Sequence, residues 1–326
     1  MSWLGWSMAG VAGGLLVWSL VEPHWPKVER RRLERDPEMP GTQGSSAGPA
    51  APLRLLHLAD PHLRKMGWRE RRTIALAERL QPDLICLTGD LVAGSESLAV
   101  LEPWAAGLAR VAPVFAVLGD HDLILGPEAF RELEEALRRA GVHLLRNRSS
   151  WVSGPGWRVW VVGVDDAGKG MADLARAMAG DREAARQRGV PLEGDEVRVL
   201  LSHRATVVDE AAQKGFHLVL AGDTHGGQVN LPWLGPIAAW LKERTPYPGG
   251  LYRVGRAWLH VSRGLGWSHL PVRFRCRPEV ALLEIPLSAA GAATAAPTSP
   301  AAAAGQPPAR TAGDTAPASV EQPASR

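Results

Sequence analysis

Strand-length apolar runs alternate with helical patterns from Leu53 onwards, and this alternation restricts the fold more than any other feature of the sequence. The runs "LRLLHLA", "DLICLTG", "PVFAVLG" and "FHLVLAG" have the length of buried strands. Between them, "WRERRTIALAERL" has the period of an amphipathic helix, and "PEAFRELEEALRRAG" has a proline near its start and a glycine at its end. The last third, through "LYRV", "AWLHVS" and "EVALLEI", indicates further strands. We therefore predict an α/β fold in which sheets pack between helices.

Each of five strand-like runs ends in a residue that can bind a metal ion. These residues are Asp60, Asp90, Asp120, His203 and Asp223, and the nearby candidates are His62, His121, Asp122 and His225. In open α/β sheets, ligands bind beyond the carboxyl ends of the strands. An aspartate after a strand is most often a turn former, so one D-x-H or G-D is a weak signal. The ordered set "ADPH", "LTGD", "LGDHD", "LSH" and "AGDTHGG" is far more specific, and we interpret it as one metal site.

This ordered set resembles the metallophosphoesterases, the calcineurin-like phosphoesterase superfamily, whose pattern runs D-x-H, G-D, G-N-H-[DE], a lone His and G-H-x-H. The resemblance covers about residues 53–287 and implies a four-layer α/β/β/α sandwich. It extends to the membrane-anchored bacterial branch, which includes UDP-2,3-diacylglucosamine pyrophosphatases. That branch shares the stretch "VEPHW" after an N-terminal hydrophobic segment and a "SRGLG…PEV" stretch near the C terminus.

Carried onto this chain, the resemblance implies a site for two divalent metal ions. Asp60, His62 and His225 would hold one ion, Asp90 would bridge both, and Asp120, His203 and Asp223 would complete the second. His121 would be the catalytic acid or transition-state stabiliser, oriented by Asp122. Two cations can hold a hydroxide and stabilise the attacking and the leaving oxygen of an in-line displacement at phosphorus. Mixed carboxylate and imidazole ligands suit manganese, iron, zinc or cobalt.

The chain departs from the family pattern at two positions of the second ion. Asp120 stands where asparagine is usual, and Asp223 stands where histidine is usual. Four carboxylates would neutralise two divalent cations, whereas the usual two would leave about two positive charges. We therefore predict a harder second site that favours manganese, magnesium or ferric iron over zinc, and a need for higher pH. The competing interpretation is a degraded site, and metal preference after an Asp223→His change separates the two.

The first 22 residues predict a transmembrane anchor. Residues 3–21 carry no charge, and tryptophans stand near both ends of the segment, as at membrane interfaces. A helix of this length spans roughly 28 Å, close to the thickness of a hydrocarbon core. Basic residues follow the segment and none precedes it, so we expect the catalytic domain on the cytoplasmic face of a bacterial inner membrane.

The remaining organisation follows from composition. Residues 23–52 predict a juxtamembrane linker, residues 53–287 the metallophosphoesterase domain, and residues 288–326 a disordered tail rich in alanine and proline. The net charge of +3, without a dense basic run, gives no case for nucleic acid. The oligomeric state stays open.

Together these features predict a membrane-anchored hydrolase that cleaves a phosphodiester or pyrophosphate in a lipid-linked substrate. By resemblance, UDP-2,3-diacylglucosamine in lipid A synthesis is one candidate. The alternatives are a general phosphodiesterase acting on nucleotide or phospholipid diesters, and a decayed protein that binds lipid or serves as a scaffold.

Four other features are weaker signals. "GVDDAGKG" is almost a P-loop, but its eighth position is Gly170 instead of a hydroxyl residue, so it predicts a surface loop. His57 and His217 lie inside strand patterns and predict core histidines. His260 and His269 are either structural or at the rim of the site. Residues 231–244 form either a core helix with a loop or an apolar lip beside the site.

Overall fold

The computed structural model describes residues 3–34, 51–155, 157–187, 196–232, 235–236 and 245–287. The predicted tail, most of the predicted linker and most of residues 231–244 lie outside these ranges. Residues Asn230–Leu231 and Gly235–Pro236 form a short antiparallel pair, which we label β10 and β11.

The first sheet has six strands, and its centre is parallel. The strands in chain order are β1 Lys27–Arg32, β2 Leu53–Ala59, β3 Leu84–Thr88, β4 Val114–Val117, β5 Val142–Leu144 and β14 Glu279–Ile285. Their spatial order is β1-β14-β2-β3-β4-β5, with β14 antiparallel to β2 and all other pairs parallel.

The second sheet also has six strands and is also mixed. They are β6 Arg148–Gly154, β7 Trp157–Gly163, β8 Glu196–Leu201, β9 Leu218–Ala221, β12 Gly250–Val254 and β13 Ala257–Val261. The spatial order is β12-β13-β9-β8-β7-β6, with the two edge strands antiparallel to their neighbours. Both sheets therefore present parallel strands whose carboxyl ends can meet at one edge.

Seven helices accompany the sheets in the described residues. They are α1 Trp3–Val21, α2 Trp68–Leu80, α3 Leu98–Ala109, α4 Asp120–Leu123, α5 Pro127–Arg139, α6 Leu174–Gln187 and α7 Val208–Gln213. Helix α5 begins with the predicted proline, which needs no hydrogen-bond partner for its nitrogen at that position, and carries Arg138 and Arg139 in its last turn.

Three apolar clusters separate four layers, so the α/β prediction is confirmed. Leu101 of α3 packs in a cluster with Ile85 of β3. The neighbouring β2 residue Leu55 points the opposite way, into a cluster with Val161 of the second sheet. On the far side, Trp160 of β7 packs with helices α6 and α7. Alternate residues of each strand thus fill different clusters, as the two-residue period of a strand dictates.

The N-terminal region differs from the sequence prediction. In the ranges that the structure describes, none of the helices is long and apolar enough to cross a membrane. The transmembrane prediction for residues 1–22 therefore has no support from the structure.

Part of the predicted linker is a strand. Residues 27–32 pair in parallel with β14, from Lys27 opposite Glu279 to Arg32 opposite Glu284. Val28 packs against an apolar cluster, and Leu33, just beyond the strand, is buried. The sequence "KVERRR" does not look like a strand because it is mostly charged. As an edge strand, however, it can turn those charges towards solvent.

Candidate metal site

The predicted site residues meet at the carboxyl ends of strands from both sheets. Asp60 follows β2, Asp90 follows β3, and Asp120 follows β4, while His203 follows β8 and Asp223 follows β9. Three groups of their side chains could each hold a cation, with ligand atoms within 4.8 Å of one another. These groups are His62–Asp90–His121, Asp60–Asp90–His203 and Asp120–His203–Asp223.

The backbone at this site adopts a conformation that side chains rarely tolerate. Five predicted ligands have positive φ angles: Asp60 at 46°, His62 at 38°, Asp90 at 49°, Asp223 at 68° and His225 at 50°. A non-glycine residue in this region costs about 1–3 kcal/mol and persists only where the surroundings impose it. The strain lies at the residues that carry the candidate chemistry, and such strain marks functional sites.

Glycines let the ligand loops approach closely. A Cβ at Gly89 would overlap the His203 imidazole, and one at Gly119 would overlap the Asp90 carboxylate. A Cβ at Gly222 would overlap the carboxylate of Asp60. The "GD" pairs of the sequence therefore have a steric reason, since the residue before each aspartate must leave room for another ligand.

His203 lies at the centre of a strongly negative site. Its ring nitrogens are 3.4 Å from an Asp120 oxygen and 3.6 Å from oxygens of Asp60, Asp90 and Asp223. Burial opposes protonation of the imidazole, but these carboxylates outweigh it and raise the pKa of His203 well above its usual value. Burial and the neighbouring carboxylates likewise raise the pKa of Asp60. The same negative field favours a bound cation.

Two imidazoles complete a donor set that fits a divalent metal. His62 Nε2 lies 3.2 Å from His225 Nε2 and 3.3 Å from Asp90 Oδ2. Burial, reinforced by the charges of His121 and His203, lowers the pKa of His62 well below its usual value. His62 is therefore neutral, which is the form that binds metals. His203 Nε2 is buried without a hydrogen-bond partner among the described residues, and a bound cation would be coordinated by its lone pair.

His121 and Asp122 occupy different parts of the site. The His121 ring is partly exposed and lies edge-on to His62, with centroids 5.0 Å apart. Asp122 is buried, and its carboxylate accepts hydrogen bonds from the backbone of Leu91, Val92 and Gly119. These contacts fix the loops on either side of Asp90. The prediction that Asp122 orients His121 stays a prediction, and the described contacts of the Asp122 carboxylate are with the backbone.

Comparison with known proteins identifies the family. A sequence profile described as calcineurin-like phosphoesterase matches residues 53–227, which contain all seven candidate metal ligands. The chain belongs to the calcineurin-like phosphoesterase family. It is also 30% identical over 268 residues to phosphodiesterase YaeI of Escherichia coli K12, a match that covers 81% of this chain and 90% of the relative. The predicted superfamily is thus confirmed.

The chain is also similar to a further sequence and to a solved structure. The uncharacterised metallophosphoesterase YkoQ of Bacillus subtilis 168 is 25% identical over 237 residues, covering 72% of this chain and 83% of the relative. Among solved structures, the Thermus thermophilus sulfate thiohydrolase SoxB is 17% identical with a TM-score of 0.45, covering 75% of this chain and 58% of that one.

This phosphoesterase is a metal-dependent hydrolase, and its family together with the three candidate clusters implies divalent metal ions. The assignment of individual ligands stays a prediction, although the described geometry brings all seven candidates together.

Sequence reasoning missed Arg204, the residue next to His203. Its guanidinium lies 3.0 Å from Asp223 and 3.7 Å from Asp120, the two aspartates at which the chain departs from the family. Its third contact is with Asp166, in the segment that we predicted to be a surface loop. Asp165 and Asp166 are buried, so only the following residues of that segment are at the surface. The sequence did contain one signal, because a positively charged arginine directly follows the predicted ligand His203.

A buried polar network behind the site was also missed. His57 Nδ1 lies 2.8 Å from His260 Nδ1, and His57 Nε2 lies 2.8 Å from the Thr88 hydroxyl. His260 Nε2 in turn lies 3.3 Å from Glu279. His57 is thus a satisfied core histidine as predicted, and His260 is fully buried instead of at the rim. His217, by contrast, is partly exposed and accepts a hydrogen bond from the Arg198 backbone.

Glu279 makes the stability of the folded protein depend on pH in the acid range. Burial, the largest single effect, would raise its pKa, but the hydrogen bond and charge of His260, together with the backbone N–H and charge of Arg263, outweigh burial and lower the pKa of Glu279 from 4.5 to about 2. A depressed folded-state pKa means that the carboxylate stabilises the fold above about pH 4.5, and that this contribution is lost as pH falls towards 2. The shift corresponds to about 3 kcal/mol.

We therefore expect Glu279→Gln to destabilise the metal-free protein by about 3 kcal/mol near pH 6, and by progressively less towards pH 2. Urea unfolding in the presence of a chelator, repeated across this pH range, measures the difference. Glu284→Gln, on the same strand, is the control. A destabilisation by Glu279→Gln that is constant with pH would contradict the assignment.

Proposed function

We propose that this chain hydrolyses a phosphodiester with two divalent cations, held by Asp60, His62, Asp90, Asp120, His203, Asp223 and His225. The observation that carries the proposal is the sharing of side chains among the three candidate cation groups. Asp90 belongs to two of them and His203 belongs to two. Adjacent cations with a shared carboxylate, about 3.5–4 Å apart, are suited to an in-line displacement at phosphorus.

His121 can contact the substrate and supply the proton that the leaving oxygen needs. When bound, the cations provide Lewis acidity and a nucleophilic hydroxide. His121 is partly exposed, whereas the neighbouring His62 and Asp90 are buried, so its ring can contact a bound substrate. The His121 backbone N–H donates to Asp90 Oδ1 at 3.0 Å, which ties its position to the shared carboxylate. We assign this imidazole to protonating the leaving oxygen.

A diester is the preferred substrate class because a relative at 30% identity, over 81% of the chain, is named a phosphodiesterase. Manganese is the preferred metal, since the two additional carboxylates Asp120 and Asp223 are hard oxygen ligands. A pyrophosphate such as UDP-2,3-diacylglucosamine remains the second candidate.

We further propose that α1 brings the enzyme to the cytoplasmic face of a bacterial membrane, where its substrate is lipid-linked. Contiguous large apolar side chains are exposed at the end of α1: Leu15, Leu16, Val17, Trp18, Leu20 and Val21. Monomeric soluble proteins rarely expose such patches.

Two successive contacts lead from the end of α1 to the candidate metal site. Glu22, which directly follows α1, is buried and accepts a hydrogen bond from the Cys276 backbone at 2.6 Å. Cys276 Sγ in turn lies 3.3 Å from the carbonyl of His225. A lipid-bound helix would thus hold the candidate site near the membrane surface.

Hydrolysis assays on the full chain in detergent test the function. We expect manganese-dependent cleavage of bis(4-nitrophenyl) phosphate, abolished by EDTA and restored by manganese, with little cleavage of 4-nitrophenyl phosphate. Release of UMP from UDP-2,3-diacylglucosamine would select the pyrophosphate alternative. Diester cleavage that EDTA leaves unchanged would contradict the proposal. Sedimentation with lipid vesicles, compared with a chain lacking residues 1–21, tests the membrane proposal separately.

A further inference from the structure

Arg204 joins the two carboxylates that distinguish this chain from the family pattern. Its Nη1 lies 3.0 Å from Asp223 Oδ2 and its Nη2 lies 3.7 Å from Asp120 Oδ1. The same two carboxylates, with His203, form the third candidate cation group. The guanidinium and a second divalent cation would therefore use the same two carboxylate groups.

The guanidinium is held in this position from behind. Its Nε donates to Asp166 Oδ1 at 3.1 Å, and Asp166 is fully buried. Asp166 is itself fixed because its other oxygen accepts from the Lys169 backbone at 2.9 Å. Gly168 lies against the guanidinium so closely that a Cβ there would overlap it. The segment "GVDDAGKG", residues 163–170, thus fixes the position of the Arg204 guanidinium.

The charge of Arg204 alters the balance expected from the sequence. Four carboxylates, from Asp60, Asp90, Asp120 and Asp223, carry four negative charges. With the guanidinium and one divalent cation, the sum is about −1, and with two cations it is about +1. Without the guanidinium, the sums would be about −2 and 0. Arg204 thus weakens the attraction for the second cation by charge as well as by contact.

We propose that Arg204 competes with the second divalent cation for Asp120 and Asp223, so that this cation binds weakly and reversibly. The inference rests on the proposed two-cation function. The cation held by Asp60, His62, Asp90 and His225 binds tightly, because these side chains are buried and His62 Nε2 lies 3.2 Å from His225 Nε2 and 3.3 Å from Asp90 Oδ2. Arg273 contacts the opposite nitrogen of that imidazole, His225 Nδ1. The second cation enters only when the guanidinium leaves its carboxylates.

Manganese binding to the full chain tests the inference without relying on activity. Free Mn²⁺ is counted by electron paramagnetic resonance during titration of the metal-stripped wild type, Arg204→Gln and Arg204→Ala. The glutamine variant removes the charge and keeps a hydrogen-bonding side chain, so it serves if the alanine variant fails to fold. Arg146→Ala is the matched control, because Arg146 pairs with Asp165, the neighbour of Asp166, at 3.3 Å.

We expect the wild type to bind one Mn²⁺ tightly and a second weakly. Both Arg204 variants should tighten the weaker site by about tenfold or more, which corresponds to about 1.4 kcal/mol. The tight site and the Arg146→Ala isotherm should stay unchanged. An unchanged or weakened second site in both variants would overturn the competition while leaving the two-cation function intact. No Mn²⁺ binding by the wild type would overturn the proposed function itself.

Discussion

Asp90→Asn should reduce phosphodiesterase activity by about 10³-fold or more, while the chain stays folded. Asp90 belongs to two candidate cation groups and is buried, so its carboxylate cannot be replaced by solvent. A thousandfold loss corresponds to about 4 kcal/mol of transition-state stabilisation, within the range expected for metal-ion catalysis. The amide oxygen can still accept the hydrogen bond from the His121 backbone, which preserves the local structure.

Diester hydrolysis and bound manganese should be measured on the same preparation of Asp90→Asn. The control is Asp209→Asn, which makes the same chemical change at an exposed residue of α7. Near-normal activity and metal content in Asp90→Asn would remove the shared carboxylate from the mechanism. Loss of both in the variant, with neither lost in the control, is the expected result.

Arg273→Met should lower the free energy of unfolding by at least about 3 kcal/mol, because several buried carbonyls lose their donor. The Arg273 side chain is fully buried, and burial lowers its pKa. It donates to the carbonyls of Arg263 and Cys276 at 2.9 Å, and to those of Gly264 at 3.2 Å and Gly266 at 3.1 Å. Methionine fills much of the volume but donates to none of them.

Loss of the Arg273 hydrogen bonds should also weaken metal binding at the candidate site. One guanidinium nitrogen lies 3.4 Å from His225 Nδ1, and the loop that it organises lies against Asp60 through Gly264. Urea unfolding with and without manganese measures both effects, and we expect a smaller stabilisation by manganese in the variant. Arg275→Met, at an exposed side chain of the same loop, is the control. Equal stabilities of the two variants would contradict the structural role of Arg273.

Most of the site could be predicted from sequence because its ligands follow directly from strand order. Asp60, Asp90 and Asp120 end successive parallel strands, so their meeting at one edge is a consequence of topology. The same holds for His203 and Asp223 in the second sheet. Local patterns therefore sufficed for residues that chain geometry brings together.

The residues that escaped prediction depend on contacts between distant segments. Arg204 pairs with Asp166 because two loops of the second sheet meet, and no pattern near either residue indicates this. Glu279 and His260 face each other because β13 and β14 belong to different sheets that meet behind the site. Strand β1 looks polar in sequence, and only its pairing with β14 reveals it.

Anomalous scattering from wild-type crystals grown with manganese would show directly whether the seven candidate ligands hold two cations. We expect a strong peak among Asp60, His62, Asp90 and His225, and a weaker peak beside Asp120, His203 and Asp223. Manganese bound only elsewhere, in crystals of protein that hydrolyses diesters, would contradict the assignment of this site to the reaction.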